Sequence, residues 1–430
     1  MQAESDKTVK TDAGVKNPSE DEKTQKARAA LTKEAAFGYS VNLASYRLPE
    51  ETMKVEKLTD LDDIIKGTLR TTGVTAETDN RSGSFLMYNN SVSHSSVNGA
   101  GIEVMSLREA RKIHDWLEDY SWGIVDADTD KYTAESCVTD ADGYFIHVLP
   151  GIHAERPVQS CLMIGTEDGM QTVHNIIILE EGSQLEVLTG CVTHDDVDRA
   201  LHIGVTEIYI KKNAKLTFSM IHNWDENVDV RPRTKIMIEE GGQLTNNYVC
   251  LRPAKSVQSN PTAYLNGKGA SAFFNTIAVA YPGASLDLGS QVYLNAEGTK
   301  TEIISRTMTL GGEIISRGNI VGNTDGVYGH LECNGLVLDK NGVQKAIPGL
   351  ESHALDVELT HEASVGRVAR EQVEYLMARG LDEEEATGLI VRGFLSAGIP
   401  NIPDELKREI DEVLEKTKNA NRSPGKEILI

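Results

Sequence analysis

The stretch "IIILEEGSQLEVL", Ile176 to Leu188, joins an apolar β-forming run to a second one through a Glu-Glu-Gly turn. The same grammar returns in "IYIKKNAKLTFSMI" (Ile208–Ile221), "IMIEEGGQLTNNYV" (Ile236–Val249) and "AYLNGKGASAFFNTI" (Ala263–Ile277). The residues just after these turns, Leu185, Leu216, Leu244 and Ala272, recur every 28 to 31 positions. Leu286 and Thr301 then follow at about half that interval. A period in this range is the mark of a solenoid. The runs are short, rich in Ile, Val, Leu and Thr, and no helical crossover separates them. Stacked β coils with inward apolar ladders therefore fit better than a βαβ sheet. An antiparallel sandwich is the alternative, although nothing in a sandwich requires so steady an interval.

Composition agrees with repetitive packing. The chain has 430 residues, 40% hydrophobic, with 37 glycines but only 5% aromatics. A core of evenly layered aliphatic side chains suits such a mixture better than one built around large rings. The formal charge of -22 argues against nucleic acid as a partner, because phosphate contacts need clustered Lys and Arg. No apolar run approaches the roughly 20 residues of a membrane helix, and "MQAESDKTVK" at the start lacks the apolar centre of a signal peptide. A cytoplasmic location away from membranes is the expectation. The five cysteines, Cys137, Cys161, Cys191, Cys250 and Cys333, are odd in number and widely spaced, which disfavours a disulfide framework. None forms a CxxC pair, so any metal site must be assembled by folding.

Outward from the repeats, residues 1–18 read as a flexible tail and 19–160 as a mixed, partly helical region. "SEDEKTQKARAALTKEAA" carries a capping-box pattern, Ser19 with Glu22. "SLREARKIHDWLEDYSW" aligns Leu107, Ala110, Ile113, His114 and Leu117 near one helical face, where His114 packs or pairs. "RSGSFLMYNN" between them is irregular or a short strand. Residues 161–359 form the β core. From 360 to 420 the chain turns helical: "REQVEYLMARG" ends at Gly380, Asp382 caps "LDEEEATGLIVRGFL", and Pro403 opens a third helix. Residues 421–430 are a tail. The predicted class is mainly β, a solenoid flanked by helices.

The passage "ELTHEASVGRVAREQVEYLMARGLDEEEATGLIVRGFL", Glu358 to Leu395, resembles the C-terminal signature of the SufB/SufD family of iron–sulfur cluster assembly proteins. "GHLECNGLVL" (Gly329–Leu338) and "IPGLESHALDVELTHEA" resemble it too, as a cysteine-bearing strand ahead of a His-Glu pair. The repeats after Cys161 look nearest to compact SufB-like forms of archaea and anaerobic bacteria. The resemblance implies a parallel right-handed β-helix that dimerises, and C-terminal helices that dock on SufC, an ABC-type ATPase. It also implies a transient iron–sulfur cluster built at the dimer interface. The docking helices would present Glu371, Tyr375, Arg379, Glu384 and Phe394. The chain has no GxxxxGK[ST] loop, so ATP hydrolysis is expected only in the partner, and the chain is read as a scaffold, not an enzyme, with no catalytic residue. A sulfur donor and apo-protein acceptors are the further partners implied.

Iron–sulfur ligation favours soft thiolates, with His or carboxylate completing a labile site. By the resemblance, Cys333 falls on the family's interface cysteine, and His361 and Glu362 on its ligating His-acid pair. The alternative for Cys333 is a small buried hydrophobe; for His361 it is a backbone hydrogen bond at the coil's end. Adjacent side chains in a strand face opposite ways, so only one of His361 and Glu362 faces a given site. Glu358 is a further carboxylate candidate. His330 is a possible supporting donor, but three residues from Cys333 it faces the other side of a strand. Where SufB-type scaffolds carry a sulfur-accepting cysteine in a "YPSC.LRG"-like run, "NPTAYLNG" has Ala263. Cys250 and Cys191 could compensate, with His194 near Cys191 as a group that could lower its pKa. His202 and His222 read as structural or surface residues, and Asp225, Asp229 and Arg231 as a solvated connection.

The leading expectation is thus a scaffold homodimer with two ATPase partners. A SufD-like support subunit holding no cluster alone is the second. A β-solenoid carbohydrate-active enzyme is the third, and the scarcity of aromatics disfavours it.

Overall fold

Successive β runs of the chain alternate between two ten-stranded sheets. This is a computed structural model, and it describes residues 22–76 and 80–396. One sheet runs through Val158–Ile164, Gln184–Thr193, Lys215–Asn223, Gln243–Cys250, Ser271–Ala280, Lys300–Thr309, Val327–Val337 and Val357–Gly366 in order. The strands between them in sequence, from Gly169–Leu179 to Val343–Ser352, build the opposite sheet. Each neighbour pair along these runs is parallel, giving a solenoid of about 8 turns.

The sequence period is the register. Leu185, Leu216, Leu244, Ala272 and Thr301 are successive Cα partners on one sheet. Leu286, at the half interval, lies on the other sheet between Val257 and Ile314. Because parallel partners face the same way, one inward residue per coil makes an apolar ladder, and these ladders form the main core. The turns are stacked as well. Gly182, Asn213 and Gly241 have φ of 70, 57 and 64°, the left-handed region open to Gly and tolerated by Asn. Each donates its N–H to a carbonyl of the next turn, at 2.8, 2.8 and 3.0 Å.

The sheets extend past 161–359 at both ends. At the start, Ser91–Val97 pairs antiparallel with Gly83–Tyr88, and Ile102–Ser106 with Tyr144–Val148. "RSGSFLMYNN" is therefore largely a true strand. At the finish, Val357–Gly366 includes the His-Glu pair, which is strand and not helical region. The helices expected from these patterns are Glu22–Ala30, Leu107–Ile113 followed by a 3-10 turn Asp115–Asp119, Arg370–Met377 and Glu383–Ser396. His114 is the C-cap of its helix, with Nε2 3.3 Å from Glu103. The tails 1–18 and 421–430 and the helix expected after Pro403 lie outside the described residues.

Asp229 and Arg231 are not solvated; each is 1% exposed, on the outer face of strand Asn227–Ile238. The N-terminal segment covers that face. Tyr39 and Tyr46 donate hydroxyls to Asp229 at 2.9 and 2.8 Å, Lys255 adds its ammonium at 3.1 Å, and Ser256 donates as well. Burial alone would raise this carboxyl, but Ser256, Tyr46, Arg231 and Tyr39 together hold it below the usual range. In "NVDVRPRT" the alternation of Val with charge was the available signal; what covers the charged face was not.

Candidate functional site

Strand Val327–Val337 alternates strictly. Val327, Gly329, Leu331 and Cys333 face the interior, while Tyr328, His330 and Glu332 face out. Cys333 is 2% exposed and stacks between Ser305 and Ala363 on the neighbouring strands. Burial pushes its thiol up, the Ser305 hydroxyl works against that, and the charge of Glu332 adds to it.

On the last strand His361 is in register with Leu331 and so shares the interior face of Cys333. Its Nε2 is buried and has no hydrogen-bond partner. A buried ring nitrogen with nothing to bond is an unsatisfied polar atom, which folded chains rarely tolerate without use. Glu362 pairs with Glu332 and Glu358 with Tyr328, both exposed on the outer face. His330 also faces out, its Nδ1 2.7 Å from the Thr360 hydroxyl. The structure thus brings Cys333 and His361 to one face and puts Glu362, Glu358 and His330 on the other.

This pair sits where the solenoid ends. Val343–Ser352 and Val357–Gly366 are the terminal strands of their sheets, and Val343, Ile347, Leu350, Leu355 and Val365 are exposed there. Among the described residues these edges are not covered, and apolar side chains lie exposed along them. Among the described residues no three His, Cys, Asp or Glu side chains converge to hold a metal ion.

Comparison with known proteins shows the family of the chain. Residues 162–394 match the family model described as the SUF system FeS cluster assembly, SufBD core domain. An iron-sulfur cluster assembly SufBD family protein of Methanothermobacter thermautotrophicus is 42% identical over 399 residues, covering 91% of this chain and 97% of its own. Another from Archaeoglobus fulgidus is 45% identical over 350 residues, covering 81% and 94%. One from Staphylococcus haemolyticus is 30% identical over 312 residues, covering 72% and 66%. The chain belongs to the SufBD family. The matched SufBD core begins within the first parallel coil and ends in the last described helix, so solenoid and C-terminal helices fall within one family unit.

Of the other thiols of this SufBD chain, Cys161, Cys191 and Cys250 are buried and Cys137 is partly exposed. Cys191, His222 and Cys250 are in-register neighbours on three successive coils, all facing the interior. His222 Nδ1 meets the Tyr248 hydroxyl at 2.9 Å, and its Nε2 has no partner. Burial pushes Cys191 well above the usual thiol value and Cys250 up to about 12. The expected help of His194 for Cys191 is absent. Strand Gln184–Thr193 ends before His194, which turns to Asp196 instead, at 3.6 Å. Ala263 faces the same interior from the opposite sheet, fully buried, so its position offers packing and no thiol. His202 and His222 are buried structural residues, not surface ones.

The C-terminal helices lie on the outside of the thiol-bearing sheet. Val373, Ala386, Val391 and Leu395 pack with Ile277, Val279, Met308 and Leu338. Glu371, Tyr375 and Arg379 are exposed, and the Arg379 guanidinium stacks 4.6 Å from the Tyr375 ring centre. Glu384 is half-buried, and half-buried Phe394 packs against the same apolar cluster. No helix among the described residues is long and apolar enough to cross a membrane.

Proposed function

We propose that this chain is the scaffold on which a labile iron–sulfur cluster is assembled, at an interface between two copies, with Cys333 and His361 as the ligands each copy supplies. The observation that carries this reading is their shared interior face at the open end of the solenoid, with the His361 Nε2 buried and unbonded. A second copy across that end supplies the ligands that one chain lacks. Few thiolates per cluster suit a scaffold that must release its cargo. Glu362 and Glu358, on the outer face of the same edge, are candidate carboxylate partners from the rim of the interface.

A SufC-like ABC ATPase is the partner proposed for the exposed side of helix Arg370–Met377, with Glu371, Tyr375 and Arg379 as its contacts. These helices pack on the strands that lead to Cys333, so a pull on them would be felt at the interface. Cys250 and Cys191 are the candidate interior sulfur carriers. The location proposed is the cytoplasm.

Anaerobic reconstitution with iron and sulfide should give a brown dimer. Folded protein that stays colourless with its ATPase present would favour a SufD-like support role, in which a separate subunit holds the cluster.

A further inference from the structure

Gln344, on the terminal strand Val343–Ser352, is in register with Ile314, a fully buried core residue, so its side chain points into the solenoid. Its amide lies over Gly335. A Cβ built on that glycine would come within 2.7 Å of Gln344 Cγ and Cδ, so only a residue without a side chain leaves the amide this place. Gly335 is two residues past Cys333 on the same strand face. Leu331, the register partner of His361, is two residues before Cys333 on that face. Along the strand, Cys333 thus stands between the Gln344 amide and the His361 imidazole.

Only one end of the amide is engaged. Nε2 donates to Thr307 Oγ1 at 2.5 Å and lies 3.5 Å from Ser316 Oγ. The Thr307 hydroxyl gives its own proton to the Asn334 carbonyl at 3.3 Å. Thr307 is therefore the acceptor from Gln344, which fixes which way the amide is turned and leaves Oε1 on the free side. Oε1 is buried and has no hydrogen-bond partner. Among the described residues past Asn260, the only buried side-chain nitrogen or oxygen atoms in that condition are Gln344 Oε1 and His361 Nε2. Two orphaned atoms able to offer a lone pair, one on each side of a thiol, call for a ligand that all three can share. Sulfur, imidazole nitrogen and carbonyl oxygen share a metal cation.

We propose that Gln344 is a third iron ligand of the face that carries Cys333 and His361, binding ferrous iron through Oε1. The inference rests on the cluster-assembly reading and adds the oxygen donor that holds iron there before sulfide arrives. Donation from Nε2 to Thr307 polarises the amide and strengthens its oxygen as a donor. A neutral carbonyl oxygen is still a weaker iron ligand than thiolate or imidazole, which suits a metal that must be passed on.

Ferrous iron alone, titrated anaerobically into the full chain and measured by equilibrium dialysis, reads this directly. Gln344→Leu, which lacks the oxygen, should weaken iron binding about tenfold. Gln344→Glu keeps an oxygen in place and should bind at least as tightly as the parent. Thr307→Val removes the partner of Nε2 but spares Oε1, so it should cost less affinity than Gln344→Leu; an equal loss would make the amide a structural group. A leucine variant that binds like the parent, a glutamate variant as weak as the leucine one, or a parent chain that takes up no iron would each overturn the assignment. Sulfide added afterwards tests the scaffold reading separately. Iron held through Gln344 that never becomes a brown cluster would strike that reading and leave Gln344 a ligand.

Discussion

His361 stands in register with Leu331, two residues before Ala363, the register partner of Cys333, so imidazole and thiol share the interior face of the last two coils. Replacing either should therefore act on one site. Cys333→Ala and His361→Ala should each weaken cluster retention by about ten- to a hundredfold, the range seen when a metal site loses a supporting group. His330→Ala, on the outer face, should leave retention near the parent level. Visible absorption and iron content after anaerobic desalting check this. Equal losses from all three would sink the facial assignment.

The solenoid was legible because one coil repeats the next. Turn residues such as Gly182 and Gly241 mark each corner, and Leu185 to Thr301 mark one ladder. Alternation also told that His330 faces away from Cys333 and that only one of His361 and Glu362 can face a given site; which of the two was not legible. What failed to show were contacts that occur once. Asp229 is buried only because Tyr39 and Tyr46, some 180 to 190 residues away, bring hydroxyls to it, and no period announces such a meeting. The misplaced help of His194 has a simpler cause: three residues after Cys191, it would face the other side of the strand even if the strand continued.

Asp229→Asn should destabilise the fold by about 3–5 kcal/mol, because Arg231 would be left buried without its counter-charge. Tyr39→Phe and Tyr46→Phe each remove one bond to a charged acceptor and should cost about 1.5–3 kcal/mol. Urea denaturation measures all three. The same variants should speed proteolysis near residues 39–46, since these bonds fasten that segment to the solenoid. Unchanged protection would show that other contacts hold the segment.

Acid should weaken the folded state through its interior histidines. Burial lowers His202 to about 3 and His222 well below its ordinary value, whereas the unfolded chain titrates near about 6.5. Below that value the unfolded chain takes up protons that the folded chain refuses, so stability falls as pH falls toward the folded pKa. Each histidine contributes up to about 1.4 kcal/mol per pH unit in that window. The urea midpoint should drop between about pH 7 and about pH 5, and His202→Gln should flatten the drop. A midpoint that rises on acidification would contradict the buried neutral state.

Leu350 and Ile347 lie on Val343–Ser352, the terminal strand of its sheet, with 40% and 44% of their surfaces exposed. If a second copy covers this end, charge placed there must be desolvated without a partner, which interfaces do not tolerate. Leu350→Arg and Ile347→Arg should therefore shift the protein from dimer to monomer in light scattering, with little change in thermal midpoint, since both side chains are substantially exposed in the single chain. Cluster retention should fall along with dimer content, although Cys333 and His361 are untouched. A monomeric variant that still holds its cluster would show that one chain suffices and remove the shared-interface reading. A variant that stays dimeric would move the interface away from this end of the solenoid.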